Sequence, residues 1–433
     1  MSATPLASGP PSLLRAVSRW QIVAVSINDV IGSGVYLLPA RAAALLGAAS
    51  MSAVPVAGLC VLLIVLCFAE AGSKFDRAGG AYVYTREAFG DFIGFEVGWM
   101  TWVTRVTVAA TLSAAFADAF GEWWAGAASG WGRALAVVLS LLFLTGINIA
   151  GVKHGARAAV VLVVGKVLPL LVLIAIGIFA VDWSRIDLMA RPPLAGLPKA
   201  ALLLLFAYAG FENTAAPAGE YRNAQRDVPF ALFVMIAAVT VIYSLAQLVA
   251  LGLVPDLAHS PRPLAAAARV LLGPFGASLL TVGGLLSILG TNNNTTLAGA
   301  RYLYALADSG RIPRFFGSVH PRFRTPWIAI LTQTAIALPL ALTGSFVELA
   351  ELSVIARMAA YIGTAASVPF LRRKLPDTPR TIRLPGGPAI PIATLAVCAF
   401  LLRSAKGSNL VAGAAALAVG AVIYHAAGRR RAG

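Results

Sequence analysis

The chain is written in long apolar runs separated by short polar ones, and the runs recur from end to end. Each is close to the ~20 residues a helix needs to cross a bilayer. By that criterion about twelve spans are counted, at 18–47, 50–73, 89–118, 132–149, 156–180, 198–219, 228–254, 265–307, 326–343, 346–371, 389–404 and 408–426. The runs are continuous, whereas a transmembrane barrel would show short alternating segments. The predicted fold class is therefore all-α integral membrane. Residues 1–14 read as a disordered cytoplasmic lead. No small-residue cleavage site follows a short apolar core, so a cleaved signal peptide is not expected.

Two runs are interrupted near their middles. The first reads "WQIVAVSINDVIGSGVYLLPA", with Asp29 and the triplet Gly32-Ser33-Gly34 inside it. Unwound backbone at membrane depth is tolerated only where it is buried in protein or lines a cavity. Glycine permits the dihedrals and lets a ligand approach the peptide N–H groups. A half-helix starting near Val35 would turn its free N–H groups and positive dipole end toward the break, which suits a carboxylate. A close-packing glycine motif between two helices accounts for the same residues. The sixth run, "LLLLFAYAGFENTAAPAGEYRNAQRDVPFAL", supplies a second break at Gly210, with Glu212 and Asn213 just after it and Pro217 beyond. Five runs precede the sixth and five form its own set, so the two interrupted runs hold equivalent positions in two halves of five. Paired discontinuous helices in corresponding positions point to a transporter's midplane site.

Composition excludes a sizeable soluble domain. Of 433 residues 59% are apolar and 12% charged, against about 25% charged in an average soluble protein. A net charge of +16 raises the question of nucleic acid, but the distribution of the basic residues answers it. With the N-terminus inside, roughly 21 Lys and Arg fall on the cytoplasmic side and about 8 on the other. The inner set includes Arg15, Arg19, Lys74, Arg77, Arg311, Arg314, Arg322, Arg324, Arg372, Arg373, Lys374 and the tail Arg429 to Arg431; Arg185, Arg191 and Lys199 oppose the bias without reversing it. Topology and anionic lipid explain the charge, and no nucleic-acid partner is expected. Cys60, Cys67 and Cys398 sit in apolar runs and His154, His259, His320 and His425 in loops or near span ends, without ligand spacing. Neither a disulfide framework nor a metal site is expected.

The motifs resemble a known family. "VIGSGVYLLPA" is similar to the first helix of the amino acid–polyamine–organocation transporters, and "FAYAGFENTAAPAGEYRNAQRDVP" to their sixth helix and the loop after it. "WMTWVTRVTVAATL", "LAGARYLYALADSGRIPRFF" and "ELSVIARMAAYIGTAASVPFLRRK" look like parts of the third, eighth and tenth. The resemblance covers nearly the whole chain. It implies a five-plus-five inverted repeat, with helices 1 and 6 broken and two peripheral C-terminal helices, and alternating access for amino acids or amines. The expected organisation is a lead at 1–14, repeats at 15–181 and 182–374, peripheral helices at 375–427 and a basic cytoplasmic tail at 428–433.

Resemblance and dipole logic together assign the substrate carboxylate to the N–H groups around Gly32, Ser33 and Gly34. Carbonyls freed by the second break would take the α-ammonium, those of Phe206, Ala207 and Ala209 beside Gly210, with Ile31 added from the first. Phe206 matches the position of an aromatic gate in similar exchangers. Glu212, an acid inside the membrane, is a functional candidate on cost alone; in similar exchangers the matching acid serves pH response or gating, and capping or structural pairing is the alternative. Lys166 is the sharpest single signal. It lies some nine residues, or ~13 Å of helix, from the inner end, which is far for a lysine to reach to water. Desolvation disfavours an ammonium, so a lysine there is a candidate proton carrier. The resemblance implies that its ammonium stands between spans one and eight, where sodium-coupled relatives of the fold place a sodium ion. Asp29 departs from the small or amide residue of many similar transporters. It could pair with Lys166 or bind a substrate ammonium. Ser287, Thr291 and Asn292 to Asn294 of span eight are candidates for the chamber lining, or for satisfying one another across the bundle. Arg105 and Arg357 are expected to be structural cations with internal partners, and Arg41 to snorkel or line an outer vestibule.

These observations imply a cell-membrane secondary transporter, not an enzyme, with both termini cytoplasmic, a small amino acid or amine as substrate, and a monomer or homodimer in the lipid bilayer. Lys166 favours proton-coupled symport, with the proton as co-transported ion and no other cofactor. Exchange of amino acids or polyamines is the second reading. A channel would need a repeated filter or rings of pore-lining residues, which the sequence does not offer. A receptor that binds without transport is the remaining class.

Overall fold

The computed structural model describes residues 17–76, 79–121, 123–150, 155–215, 218, 221–378 and 381–432, of which 155–164 and 428–432 are described in backbone only. The lead at 1–14, Arg15, Arg77, His154 and Pro217, and the side chains of Arg429 to Arg431, lie outside the described residues. The described chain is helical, its one β-bridge an isolated pair between Val17 and Tyr221. In order the α-helices are α1 (Arg19–Val30), α2 (Ser33–Leu46), α3 (Ser50–Gly72), α4 (Ala81–Phe89), α5 (Asp91–Phe120), α6 (Gly130–Ala150), α7 (Gly155–Gly177), α8 (Leu197–Tyr208), α9 (Ala224–Leu253), α10 (Pro263–Asp308), α11 (Trp327–Thr343), α12 (Phe346–Lys374), α13 (Ala389–Arg403) and α14 (Gly407–Ala432).

Among the described residues seven helical stretches are long and apolar enough to cross a membrane: 33–72, 91–120, 130–150, 224–253, 263–308, 346–374 and 407–427. Shorter apolar helices occupy 165–180, 327–343 and 389–403. Large apolar side chains such as Leu139, Phe143, Leu168, Ile392, Val411 and Val422 stand exposed on the outside of the bundle. That pattern suits a protein whose solvent is lipid.

Helix α5 is the most enclosed of the long helices. It packs against α10, α12, α4 and α11, and its buried Ala109, Ala110, Ala114, Ala115 and Ala117 let neighbours come close. Small residues do this in membranes because lipid gives helices no hydrophobic reason to associate. Around it, α1 packs on α9, α2 on α8 and α7 on α10. At one end of the bundle Arg372 grips Glu70 with two parallel bonds of 2.6 and 2.7 Å, tying α12 to α3. Helix α14 lies mostly exposed against α5 and α12.

The run counted as one span at 265–307 is not one straight helix. Gly273 interrupts α10 at φ 62°, ψ −152°, a conformation that glycine adopts without strain. Pro274 follows it and removes a backbone donor.

Candidate functional site

Both interruptions read from the sequence are breaks in the fold. Helix α1 ends at Val30 and α2 begins at Ser33. The unwound residues are thus Ile31 and Gly32, one or two positions earlier than the sequence suggested. Ser33 and Gly34 open α2, and no side chain caps the N-terminus at Gly32. At the second break α8 ends at Tyr208, and Gly210 takes φ 124°. The chain continues as a 3₁₀ turn over Phe211–Ala215, where a second α-helical half was expected.

The two breaks interlock. A Cβ on Gly34 would lie 2.7 Å from Ala207 Cα and 2.9 Å from Ala207 Cβ, so α2 meets α8 backbone to backbone. A Cβ on Gly210 would lie 2.7 Å from the Asp29 carbonyl oxygen. The Tyr243 hydroxyl of α9 shares its proton between the Val30 and Ala207 carbonyls at 3.0 and 2.9 Å, the last turns of the two interrupted helices. Glycine therefore serves close packing here, the alternative the sequence left open.

A cavity of about 40 Å³ lies where the breaks meet, enough for about three or four waters at ~10–15 Å³ each. Its wall takes Asp29, Gly32, Ser33 and Gly34 from the first break and Phe206, Ala207, Ala209, Gly210 and Asn213 from the second. Arg105, Val108 and Leu112 project from one face of α5, and Thr291, Asn294 and Thr295 from one face of α10, at the i, i+3, i+4, i+7 spacings that align side chains on a helix. Arg357 of α12 completes it. The hydroxyls of Ser33 and Thr291 and the Nε atoms of Arg105 and Arg357 are buried without a hydrogen-bond partner among the described residues. Four unpartnered polar groups around one cavity are what a polar ligand would satisfy. Phe206 forms a T-shaped pair with Phe346, ring centroids 5.7 Å apart.

Several of the expected site residues stand behind this wall or are already engaged. Lys166 is 1% exposed, and its Nζ donates to the Asn28 and Ile31 carbonyls at 2.5 and 2.7 Å. Ser287 Oγ donates to the same Ile31 carbonyl at 3.1 Å. Ile31 is fully buried and faces α7 and α10, so its carbonyl is engaged away from the cavity. The Ala207 carbonyl is engaged too, by Tyr243, and that of Phe206 accepts from Ala209 N–H at 3.2 Å. Asp29 accepts from Asn294 Nδ2 at 2.8 Å; no salt bridge joins it to Lys166 among the described residues. Glu212 accepts from Gly210 N–H at 3.0 Å and pairs with Arg357 Nη1 at 2.5 Å, with the Tyr361 hydroxyl at 3.3 Å. Each break is thus backed by an ion of suitable sign, an ammonium on the carbonyl end of α1 and a carboxylate on an amide of the second break. Arg41 stands exposed on α2.

The three asparagines of "TNNNTT" separate the lining from its support. Successive helical residues point about 100° apart. Asn292 donates to Ser113 of α5 at 3.0 Å, Asn293 accepts from Asn148 of α6 at 2.9 Å, and Asn294 turns to Asp29 of α1. Asn292 and Ser287, expected in the chamber, hold helices together instead. Arg105 and Arg357, expected to be purely structural, reach the cavity. Their signal in the sequence was the charge itself, in mid-span.

Broken helices meeting at a polar cavity inside a bundle of apolar helices define the class of membrane transporters. Residues 17–405 match the family described as amino acid permease, and the chain belongs to that family. The transporter family that the motifs resembled is therefore the one found, and it is a family of permeases, not of enzymes. The chain is similar to the serine/threonine exchanger SteT of Bacillus subtilis, 32% identical over 397 residues that cover 89% of each chain. It is also similar to the branched-chain amino acid permease BcaP of that organism, 25% identical over 96% of this chain and 94% of the relative. A third relative, the methylthioribose transporter of B. subtilis, is 26% identical over 95% and 93%.

Proposed function

We propose that the protein is a secondary active transporter that carries an amino acid across the cell membrane by alternating access, with a proton as co-transported ion. In this reading twelve spans form two five-helix repeats and a peripheral pair, and both termini are cytoplasmic. The substrate carboxylate rests on the amides at the start of α2 and on the Ser33 hydroxyl. Asp29 and the remaining lone pairs of the Phe206 and Ala209 carbonyls face its ammonium.

The observation that carries the coupling is the engagement of Lys166. Its ammonium holds the last carbonyls of α1 and has no carboxylate partner within salt-bridge distance among the described residues. Hydrogen bonds from a charged donor are worth about 1.5–3 kcal/mol each. Loss of the proton would weaken that hold on the broken helix, and so link protonation to the conformation of the site. Glu212 is a weaker candidate for the proton, because Arg357 and Gly210 already occupy its carboxylate.

The test is uptake into proteoliposomes with the interior alkaline. One proton per substrate and one pH unit should sustain about tenfold accumulation, the equivalent of about 1.4 kcal/mol. Exchange is the second reading, favoured by the likeness to a serine/threonine exchanger. It predicts no net accumulation from the gradient and strong stimulation by preloaded amino acid.

A further inference from the structure

We infer that the substrate of this cavity carries a second negative charge, as a small amino acid with an acidic side chain does, and that Arg105 recognises it. The inference rests on the reading of the cavity as the amino acid site.

Arg105 sits in the middle of α5, is 3% exposed and lines the cavity. It has no hydrogen bond or ion pair among the described residues, and its Nε is buried without a partner. The neighbouring buried cations are both engaged, Lys166 by two carbonyls and Arg357 by Glu212. A largely buried guanidinium with no hydrogen-bonded carboxylate is costly, and the cost falls when an anion arrives. Its fork of donors matches a carboxylate bidentately.

Charge balance gives the same answer. Three cations (Lys166, Arg105, Arg357) and two anions (Asp29, Glu212) stand at the cavity or directly behind it. With all five ionised the surplus is one positive charge. A zwitterionic neutral amino acid leaves that surplus, a basic one doubles it, and an acidic one cancels it. At low effective dielectric such differences are large. The substrate's three charges then meet three separate features: the α-carboxylate the N-terminus of α2, the ammonium Asp29, and the side-chain carboxylate Arg105. A cationic amine, whose ammonium Asp29 could bind, would meet the surplus with more charge of the same sign.

Glutamate and glutamine nearly share a shape and differ by one charge, so the wild-type protein in proteoliposomes supplies the test without a variant. L-Glutamate or L-aspartate should compete for uptake at least tenfold better than L-glutamine or L-asparagine. Arg105→Gln should remove that preference, with the ratio of glutamate to glutamine competition falling from at least tenfold to within about twofold. Equal or better competition by the amides, or a preference that survives in Arg105→Gln, overturns the inference and leaves an amino acid carrier of another specificity. If none of the common amino acids is bound or moved by the wild type, the reading of the cavity itself fails.

Discussion

Gly34→Ala tests whether the two breaks must touch. The new Cβ would stand 2.7 Å from Ala207 Cα, whereas carbon atoms rest at about 3.5–4.0 Å. Helices α2 and α8 would have to part by roughly 1 Å, because the clash is with backbone and no rotamer can relieve it. Overpacking of this kind costs about 1–3 kcal/mol, which corresponds to roughly 5- to 150-fold in an equilibrium constant. Substrate affinity should fall by that factor if the first turn of α2 and the end of α8 form one binding surface. Gly32→Ala is the control. Its Cβ would meet the Thr291 side chain at 3.6 Å, an ordinary contact, and the loss of a glycine from the helix N-cap costs up to about 1 kcal/mol. Equilibrium binding of radiolabelled substrate to purified protein, with a thermal melt of each variant, gives both numbers. Wild-type affinity in Gly34→Ala would show that the close approach is dispensable and that the glycine serves something else.

Three further outcomes follow from the same geometry. Lys166→Ala should abolish accumulation driven by an alkaline interior, and Lys166→Arg should fail with it because arginine keeps its proton; gradient-driven uptake as steep as wild type in either variant assigns the lysine to structure. Removing one partner of a buried ion pair costs about 3–5 kcal/mol, so Arg357→Met should lower the thermal midpoint sharply, and Glu212→Gln added to it should recover part of the loss; additive losses in the cycle would refute coupling between the two. Glu96 has both carboxylate oxygens buried without a partner, against Gly420 of α14, so Glu96→Gln should raise the midpoint of the detergent-solubilised protein, and a fall would reveal a partner that the carboxylate holds.

What could be read from the sequence was whatever changes the character of a span. Continuous apolar runs gave helices, and glycine and acids inside two of them marked the breaks, because lipid leaves unwound backbone no other place than the protein interior. Lys166 was legible for a similar reason, as a charge too deep to reach water. The split of α10 had a local signal, the Gly273-Pro274 pair, hidden by the length of the apolar run around it. Sorting lining from support was not legible. Thr291 and Asn292 are neighbours in sequence with similar chemistry, and a rotation of about 100° sends one to the cavity and the other to Ser113. Which rotation applies depends on how α10 is packed, and no local residue records it. Ile31 shows the same limit: adjacent to Gly32 in the break, it turns its carbonyl to Lys166 and Ser287.

In the proposed function the two breaks act as a pair. Gly34 against Ala207 and Gly210 against Asp29 join the two interrupted helices directly, and the Tyr243 hydroxyl of α9 bridges Val30 and Ala207. Different ties hold them to the rest of the bundle. Lys166 joins the first break to α7 and Ser287 joins it to α10, while Arg357 joins the second, through Glu212, to α12. Contacts within the pair are mostly close van der Waals approaches between backbones, which have no alternative partner if separated. The polar ties to the bundle are ionic or hydrogen-bonded, and water, a substrate or a change of protonation can replace them. A movement of the broken helices relative to the bundle would therefore have to exchange these polar ties, and the Lys166 bonds are among those that depend on a proton.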